Sequence, residues 1–501
     1  MRLTAGSVAL ALLVAAPFAA AQLGPNYKCD PATCKLPACY CASTQPPVAN
    51  PPQFLMLTYD DSIQAAVWPQ AQALLNRKNP NGCPVKATWY TQVLYSDPYL
   101  VSQWYAQGNE VADHSVTHAP IFAGTYAEVE GMRKWANEYA GIPLGKIKGF
   151  RFPYLNYTTD AIAMLAKMGF EYESSMASGT GDMVWPYTLD YGTVNDCLGT
   201  APACGKELNA KGLWEVPMYS TTGPNGIAQL MDPYNLPTLD APQSPEQVTA
   251  NYRTTFDAHY AASRVPFGVY LHPTWIGKSV PVGTAANPTA IQDGTPKAAA
   301  VAAFLDYAMS KPDTWMVTAS QMVEYMKNPV PASQLAAQPY MSCTPNPAPP
   351  NTVCNGLAGD AAAGNAAPET CNLVSGSFRS CYGCPAEAPT LENPSPPTTS
   401  TRKRVPTTCD SLWWDPVAGT CLCTADTCKY TDTARPVNLD PASLNAAAAN
   451  GTTPAGGAAN NGTTTPAPGD KQAANSAASV TVTNAMAAAA VGVLAAGFAA
   501  W

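Results

Sequence analysis

Between Pro47 and Cys343 the chain alternates short apolar runs with longer amphipathic ones, and this alternation constrains the fold more than any other feature. Apolar runs of strand length lie at 54–58, 86–90, 110–113, 147–152, 170–175, 214–219, 266–271 and 314–318. Helical periodicity fills the intervals at 65–77, 99–106, 126–139, 159–168, 245–262, 298–309 and 320–326. In 126–139, Val129, Met132, Trp135 and Ala136 fall on one face, the spacing of a helix with one buried stripe. Strand–helix repeats of this kind imply a parallel sheet, because the helix supplies the crossover between parallel neighbours. The expected fold class is α/β: a (β/α) barrel, complete or distorted, with small disulfide-rich flanking modules and a disordered stalk.

Barrels of this type carry their chemistry at the C-terminal ends of the strands. The first run, Phe54-Leu55-Met56-Leu57, leads straight into Thr58-Tyr59-Asp60-Asp61-Ser62. Two adjacent carboxylates at the mouth of a buried strand are costly unless a cation or hydrogen bonds compensate them. The chain has only 4 histidines, and two of them, His114 and His118, flank Ser115-Val116-Thr117 after the third run. A carboxylate with two imidazoles suits a divalent metal such as zinc. These residues therefore read as a site in which Asp61, His114 and His118 hold the metal and Asp60 does proton chemistry beside it. The four-residue histidine spacing would place both rings on one side of a helical turn. Arg151 and His272 fall near the ends of two further strands.

The balance of 27 Lys and Arg against 35 Asp and Glu, a formal charge of −8, argues against a nucleic-acid partner and against a polybasic membrane contact. Sixteen cysteines, gathered toward both ends, point to disulfides and an oxidising compartment. Residues 1–21 read as a secretory signal peptide: Arg2, an apolar run, then Ala19-Ala20-Ala21. Residues 22–46 form a small module with Cys29, Cys34, Cys39 and Cys41, too poor in apolar residues to hold a core without disulfides. The catalytic region is 47–343, and a cysteine-rich region occupies 344–435. Within it, Cys423 to Lys429 echoes Cys29 to Lys35, hinting at two copies of one module. Trp413 and Trp414 make carbohydrate binding conceivable there; a stapled spacer is the other reading. Residues 436–476 are rich in Ala, Asn, Thr and Pro, without periodicity, and read as a flexible stalk. Asn450 and Asn461 in the stalk, and Asn156 near the proposed site, begin N-glycan acceptor triplets. Residues 477–501, with the small residues Asn475-Ser476-Ala477-Ala478 spanning their boundary with the stalk, read as a glycosylphosphatidylinositol-anchor signal.

Four motifs occur in order: Thr58-Tyr59-Asp60-Asp61-Ser62, His114-Ser115-Val116-Thr117-His118, Arg151-Phe152-Pro153-Tyr154 and Leu271-His272-Pro273. Together they resemble the signature motifs of the polysaccharide deacetylases, carbohydrate esterase family four. Arg77-Lys78-Asn79-Pro80-Asn81-Gly82-Cys83 and Trp214-Glu215-Val216-Pro217-Met218 are similar to stretches of the chitin deacetylases. The resemblance covers 47–343. It implies Asp61, His114 and His118 as the metal triad, usually with zinc (cobalt being an alternative), and Asp60 as the catalytic base. It implies that Arg151 orients that base, that the Tyr154 N–H stabilises an oxyanion, and that His272 is the general acid. Tyr59 stands where the family usually has Phe, and Ser62 where Gly is common. The fourth motif, an acid followed by Trp, is not resolved by the sequence; Asp182, Trp185 and Asp190 are the candidates for the residue that tunes His272. Pairing of Cys83 with Cys343 and of Cys197 with Cys204 is expected.

The leading functional expectation is a metal-dependent N-deacetylase acting on chitin or its oligomers, secreted and anchored at the cell surface or wall. The alternatives are a deacetylase of another acetylated polysaccharide and a non-catalytic, wall-anchored carbohydrate-binding glycoprotein.

Overall fold

The computed structural model describes residues 27–122, 125–179, 183–195, 208–223, 228–233, 243–281, 291–343, 368–373, 376–406, 408–423, 425 and 437. The expected signal peptide and anchor signal, and the expected stalk apart from residue 437, lie outside the described residues, as do Cys197 and Cys204. Among the described residues, no helix is long and apolar enough to cross a membrane.

Nine strands make the main sheet: β1 (Gln53–Asp60), β2 (Thr88–Thr91), β3 (Glu110–Asp113), β4 (Gly149–Phe150), β5 (Tyr172–Glu173), β6 (Tyr187–Thr188), β7 (Trp214–Glu215), β8 (Phe267–Leu271) and β9 (Thr314–Met316). The principal helices are α1 (Trp68–Ala73), α2 (Pro98–Ala106), α3 (Tyr126–Ala140), α4 (Thr159–Lys167), α5 (Pro245–Ala261), α6 (Thr295–Met309) and α7 (Ala319–Lys327). The strand order is β8-β1-β2-β3-β4-β5-β7-β6, with β9 also beside β1. All pairings are parallel except β6 with β7. The sheet curls, but among the described residues no ladder joins β6 to β8, so the expected barrel is of the distorted kind. Tyr270 helps span the opening: its hydroxyl accepts the Tyr219 N–H at 2.9 Å and donates to the Pro217 carbonyl at 3.2 Å.

Every residue of β1 is buried, as expected for a central parallel strand covered on both faces. Thr58 and Asp60 are the polar residues at its C-terminal half, two apart and therefore on one face. Helix starts follow the local sequence. Ser244 and Gln247 form a reciprocal capping box at α5, and Thr318 and Gln321 form another at α7. All eight strands expected from the sequence are present, several shorter than expected, because β4, β5 and β7 keep only 2 paired residues each.

The N-terminal module covers the sheet edge. Cys29–Cys41 and Cys34–Cys39 are disulfides, which uses these sulfurs and leaves no thiolate for a metal. Tyr40 exchanges backbone and side-chain bonds with Thr188 of β6, so the edge strand is paired rather than exposed. Cys83–Cys343 is formed, as expected, and closes a loop with a sequence separation of 260. A closure of that length strongly restricts the unfolded chain.

The described residues of the cysteine-rich C-terminal region are docked on the catalytic region. Their hairpin, β10 (Glu369–Leu373) and β11 (Gly376–Ser380), lies against α2. Arg379 donates twice to Asp97 Oδ2, at 2.7 and 3.0 Å, and Asp97 is the N-cap of α2. Ser380 Oγ donates to the Tyr139 carbonyl at 2.9 Å, and Tyr105 donates to Asp410 at 2.8 Å. Gly141, with φ +69, ends α3; a Cβ there would lie 2.2 Å from the Tyr382 ring, so both backbone and packing require glycine. Trp413 and Trp414 are 8% and 7% exposed and belong to the same apolar cluster as Trp104 and Tyr139. Their faces are spent on packing, which removes the stacking surface that suggested carbohydrate binding. Cys409 pairs with Cys421. Cys428, the second cysteine of the segment that echoes Cys29 to Lys35, lies outside the described residues.

Trp413→Ala is expected to cost about 3 kcal/mol of stability, the scale for truncating a buried indole. Urea unfolding of the whole chain checks this. An unchanged midpoint and slope would separate the C-terminal region from the catalytic core.

Candidate active site

The site forms where β1, β3, β4 and β8 end. Asp60 closes β1 and is buried. Its Oδ1 accepts from Arg151 Nη1 at 2.6 Å, and the same nitrogen donates to Thr58 Oγ1 at 2.9 Å. Arg151 is fully buried after β4, with Nε donating to the Ser174 carbonyl at 2.6 Å and Nη2 to Ser174 Oγ at 3.0 Å. Its guanidinium lies over the Tyr90 ring at 3.9 Å. Burial works against the charge, but Asp60 and the facing aromatic rings raise Arg151 above its ordinary range, so it stays cationic.

Asp61 turns the chain out of β1 with φ +73. Its Oδ1 is 3.3 Å from His118 Nε2 and 3.8 Å from His114 Nε2. The ligand atoms of Asp61, His114 and His118 all lie within 4.8 Å of one another. His114 Nδ1 is 2.7 Å from the Arg151 carbonyl. A carbonyl can only accept, so Nδ1 carries the proton and Nε2 turns its lone pair toward Asp61. His118 is pushed down to about 4 by burial, with the neighbouring His114 and His272 adding to it, and so is neutral at physiological pH. Burial raises the Asp61 carboxyl, but His272, His118 and His114 outweigh it and hold the group below its ordinary value. Asp61 Oδ1 is buried without a hydrogen-bond partner. A buried anionic oxygen facing two imidazole lone pairs is the arrangement a cation completes, and a donor set of one oxygen and two nitrogens fits zinc. Three protein ligands leave room for water and substrate.

The two histidines do not sit on a helix as the spacing suggested. Residues 114–118 form an irregular loop, with φ +73 at Ser115 and +62 at His118. The rings are nonetheless 4.9 Å apart between centroids. Tyr154 follows in a left-handed turn, φ 60, with its ring edge-on to His118 at 4.5 Å and 54% of the residue exposed at the rim.

His272 follows β8 and is held by Asp232, which sequence reading missed. Asp232 Oδ1 accepts the His272 N–H at 2.9 Å, and Oδ2 lies 2.5 Å from His272 Nδ1. Burial works against the imidazolium, but Asp232 dominates and carries His272 up to about 10. The earlier candidates for this role lie elsewhere. Trp185 is buried in the core against Tyr325, and Asp190 accepts from the Gly212 N–H at 2.9 Å. Asp182 is outside the described residues. The signal for Asp232 was faint: an acid before Pro233, in a stretch with neither strand nor helix periodicity.

Residues 48–173, which include Asp60, Asp61, both metal-facing histidines and Arg151, match the polysaccharide deacetylase family. This part of the chain is polysaccharide deacetylase-like. Chitin deacetylase 8 of Bombyx mori is 29% identical over 405 residues, covering 77% of this chain and 98% of that protein. Chitin deacetylase 1 of Bombyx mori is 25% identical over 408 residues, covering 73% of this chain and 68% of that protein. A Mycobacterium smegmatis structure assigned to the polysaccharide deacetylases is 17% identical, covers 58% of this chain and 94% of its own, and superposes with a TM-score of 0.40. The chain is chitin deacetylase-like, a hydrolase acting on carbon–nitrogen bonds of linear amides.

Because its folded-state value is raised, protonated His272 stabilises the fold fully below an ordinary imidazole value of ~6.5. That contribution is lost as pH rises through about 10. Asp232→Asn keeps the shape and removes the charge, so His272 should titrate near ~6.5. The alkaline limb of kcat/KM should then move down by as much as ~3 pH units. NMR titration of the imidazole and the pH–rate curve check this together; an unmoved titration would remove Asp232 from the role.

Proposed function

We propose that this protein is a metal-dependent N-deacetylase of chitin or chitin oligomers. The observation that carries the reading is the meeting of Asp60–Arg151, the Asp61, His114 and His118 set, and His272–Asp232 at one end of one sheet. A divalent cation, zinc or cobalt, held by Asp61, His114 and His118 would act as a Lewis acid on the acetyl carbonyl and the attacking water. Asp60, fixed by Arg151, takes a proton from that water as its oxygen adds to the acetyl carbon. Asp60 Oδ2 lies 4.0 Å from His114 Nε2, beside the residues that would hold the cation. The Tyr154 N–H takes the role of oxyanion donor. His272, held charged by Asp232, gives its proton to the amide nitrogen as the carbon–nitrogen bond breaks. Acetate and a glucosamine unit leave. The glycan is neutral before reaction, so a chain of net charge −8 meets no repulsion from it.

The test is acetate release from chitin oligomers. A chelator should abolish it, and zinc or cobalt should restore it. Asp60→Asn should keep the bound metal and lose on the order of a hundredfold or more in kcat, the scale of general-base catalysis. His118→Ala should lose the metal itself. Full activity in a metal-free preparation, or loss of metal from Asp60→Asn, would overturn this division of roles.

The terminal segments support a further proposal, secretion with a lipid anchor at the cell surface. Release of the mature protein from membranes by phosphatidylinositol-specific phospholipase C is the expected result. Recovery of the intact 477–501 peptide from the mature chain would contradict it.

A further inference from the structure

The loop that carries both metal-facing histidines is not self-supporting. Ser115 and His118 hold φ of +73 and +62 without being glycine, a conformation that costs about 1–2 kcal/mol per residue. The loop keeps this shape because every backbone N–H from His114 to His118 is donated. His114 N–H goes to the Thr91 carbonyl at 3.1 Å, Ser115 N–H to Asp113 Oδ1 at 2.8 Å, and His118 N–H to Ser115 Oγ at 2.9 Å. The two between belong to one group. Glu128 Oε2 accepts from Val116 N at 2.9 Å and Thr117 N at 2.8 Å, while Oε1 accepts from Thr117 Oγ1 at 2.5 Å. Glu128 is buried in the first turn of α3, where the helix dipole favours a negative charge. The outer face of the loop is tied to a second segment, since Val93 N and Leu94 N donate to the Ser115 and Val116 carbonyls at 3.1 and 2.9 Å.

We propose that Glu128 is a positioning residue of the metal site: its carboxylate clamps Val116 and Thr117 and so fixes the separation of the His114 and His118 imidazoles. Charge-assisted bonds to an anionic acceptor are roughly twice as strong as neutral ones, and here three converge on one carboxylate. A residue that only filled space would have no reason to direct all three bonds into the stretch between the two ligands. Glu128 touches neither substrate nor metal ligand atom; it acts through the loop. Groups that orient the ligands of a metal typically change its affinity by ~10–100-fold when altered.

The proposal rests on the metal reading above, and the experiment separates the two. Zinc affinity of the full chain is measured by competition with a chromophoric chelator, and the visible spectrum of the cobalt-loaded protein reports ligand geometry. Glu128→Gln keeps the length but loses the charge and places an NH2 where an acceptor is needed. It should weaken zinc ~10–100-fold and alter the cobalt bands. Thr117→Val should weaken zinc by a smaller factor, and Thr117→Ser, which keeps the hydroxyl, should restore it. If Glu128→Gln does not fold, as judged by its melting transition, the Thr117 pair decides alone. A wild-type chain that binds no divalent metal overturns the metal reading and this proposal with it. A wild type that binds zinc, with Glu128→Gln equal to it in affinity and spectrum, or with Thr117→Val equal to Thr117→Ser, overturns the positioning role only.

Discussion

The buried contact between Arg151 and Asp60 is the interaction on which the rest of the site depends. Removing both charges from water is expensive, and a buried pair is sustained only where further hydrogen bonds complete it. Arg151 meets that condition on several sides at once. It reaches Asp60 and Thr58 on β1, the carbonyl and hydroxyl of Ser174 after β5, and the Tyr90 face on β2. Its own carbonyl fixes the tautomer of His114 at 2.7 Å. One residue thus orients the base by its side chain and a metal-facing imidazole by its backbone. Loss of the guanidinium would leave Asp60 buried and unpaired, a penalty of about 3–5 kcal/mol, and would also free the carboxylate to rotate.

That arrangement works only in one strand register. Asp60 pairs with Tyr90 on β2, and Tyr59 pairs with Leu271 on β8, next to His272. A slip of one residue would turn Thr58 and Asp60 away from Arg151 and put Tyr59 in their place. The register is held by burial: Phe54, Leu55, Met56, Leu57 and Tyr59 are all buried, on both faces of the strand. The apolar first half of β1 therefore positions the polar second half. The helices, the disulfide between Cys83 and Cys343 and the docked C-terminal region hold the sheet that does this.

The sheet and the motif-bearing strand ends were legible because they rest on local patterns. Apolar runs of strand length and a 3.6-residue stripe survive in any tertiary context, and all eight expected strands are present. Three things were not legible, each for a physical reason. Asp232 comes to His272 from 40 residues away through a loop, and loop contacts leave no periodicity. The 114–118 segment has helical spacing, but its positive φ values come from bonds to Glu128 and Asp113, which spacing does not encode. Trp413 and Trp414 look alike in sequence whether they stack on a sugar or join the apolar core; only burial separates the two.

The strained backbone positions explain why the site tolerates so little freedom. Asp61, Ser115, His118, Tyr154 and Asp232 all have positive φ, from +46 to +73, and none is glycine. Glycine would relieve about 1–2 kcal/mol at each position. It would also delete a metal-facing carboxylate, an imidazole, the hydroxyl that accepts the His118 N–H, the rim tyrosine and the partner of His272. The side chains are needed, so the strain is kept, and the neighbouring structure must hold it. Asp61 is held through its carbonyl, which accepts from Trp89 Nε1 at 2.9 Å. Ser115 and His118 are held by Asp113, Glu128 and each other. Backbone turned this sharply brings residues 60 and 61 to different partners, one inward to Arg151 and one outward to the histidines. In a continued strand the second side chain would point to the opposite face of the sheet; the left-handed turn at Asp61 brings its carboxylate to His118 instead. The pair of aspartates can divide base from ligand because the backbone between them is strained.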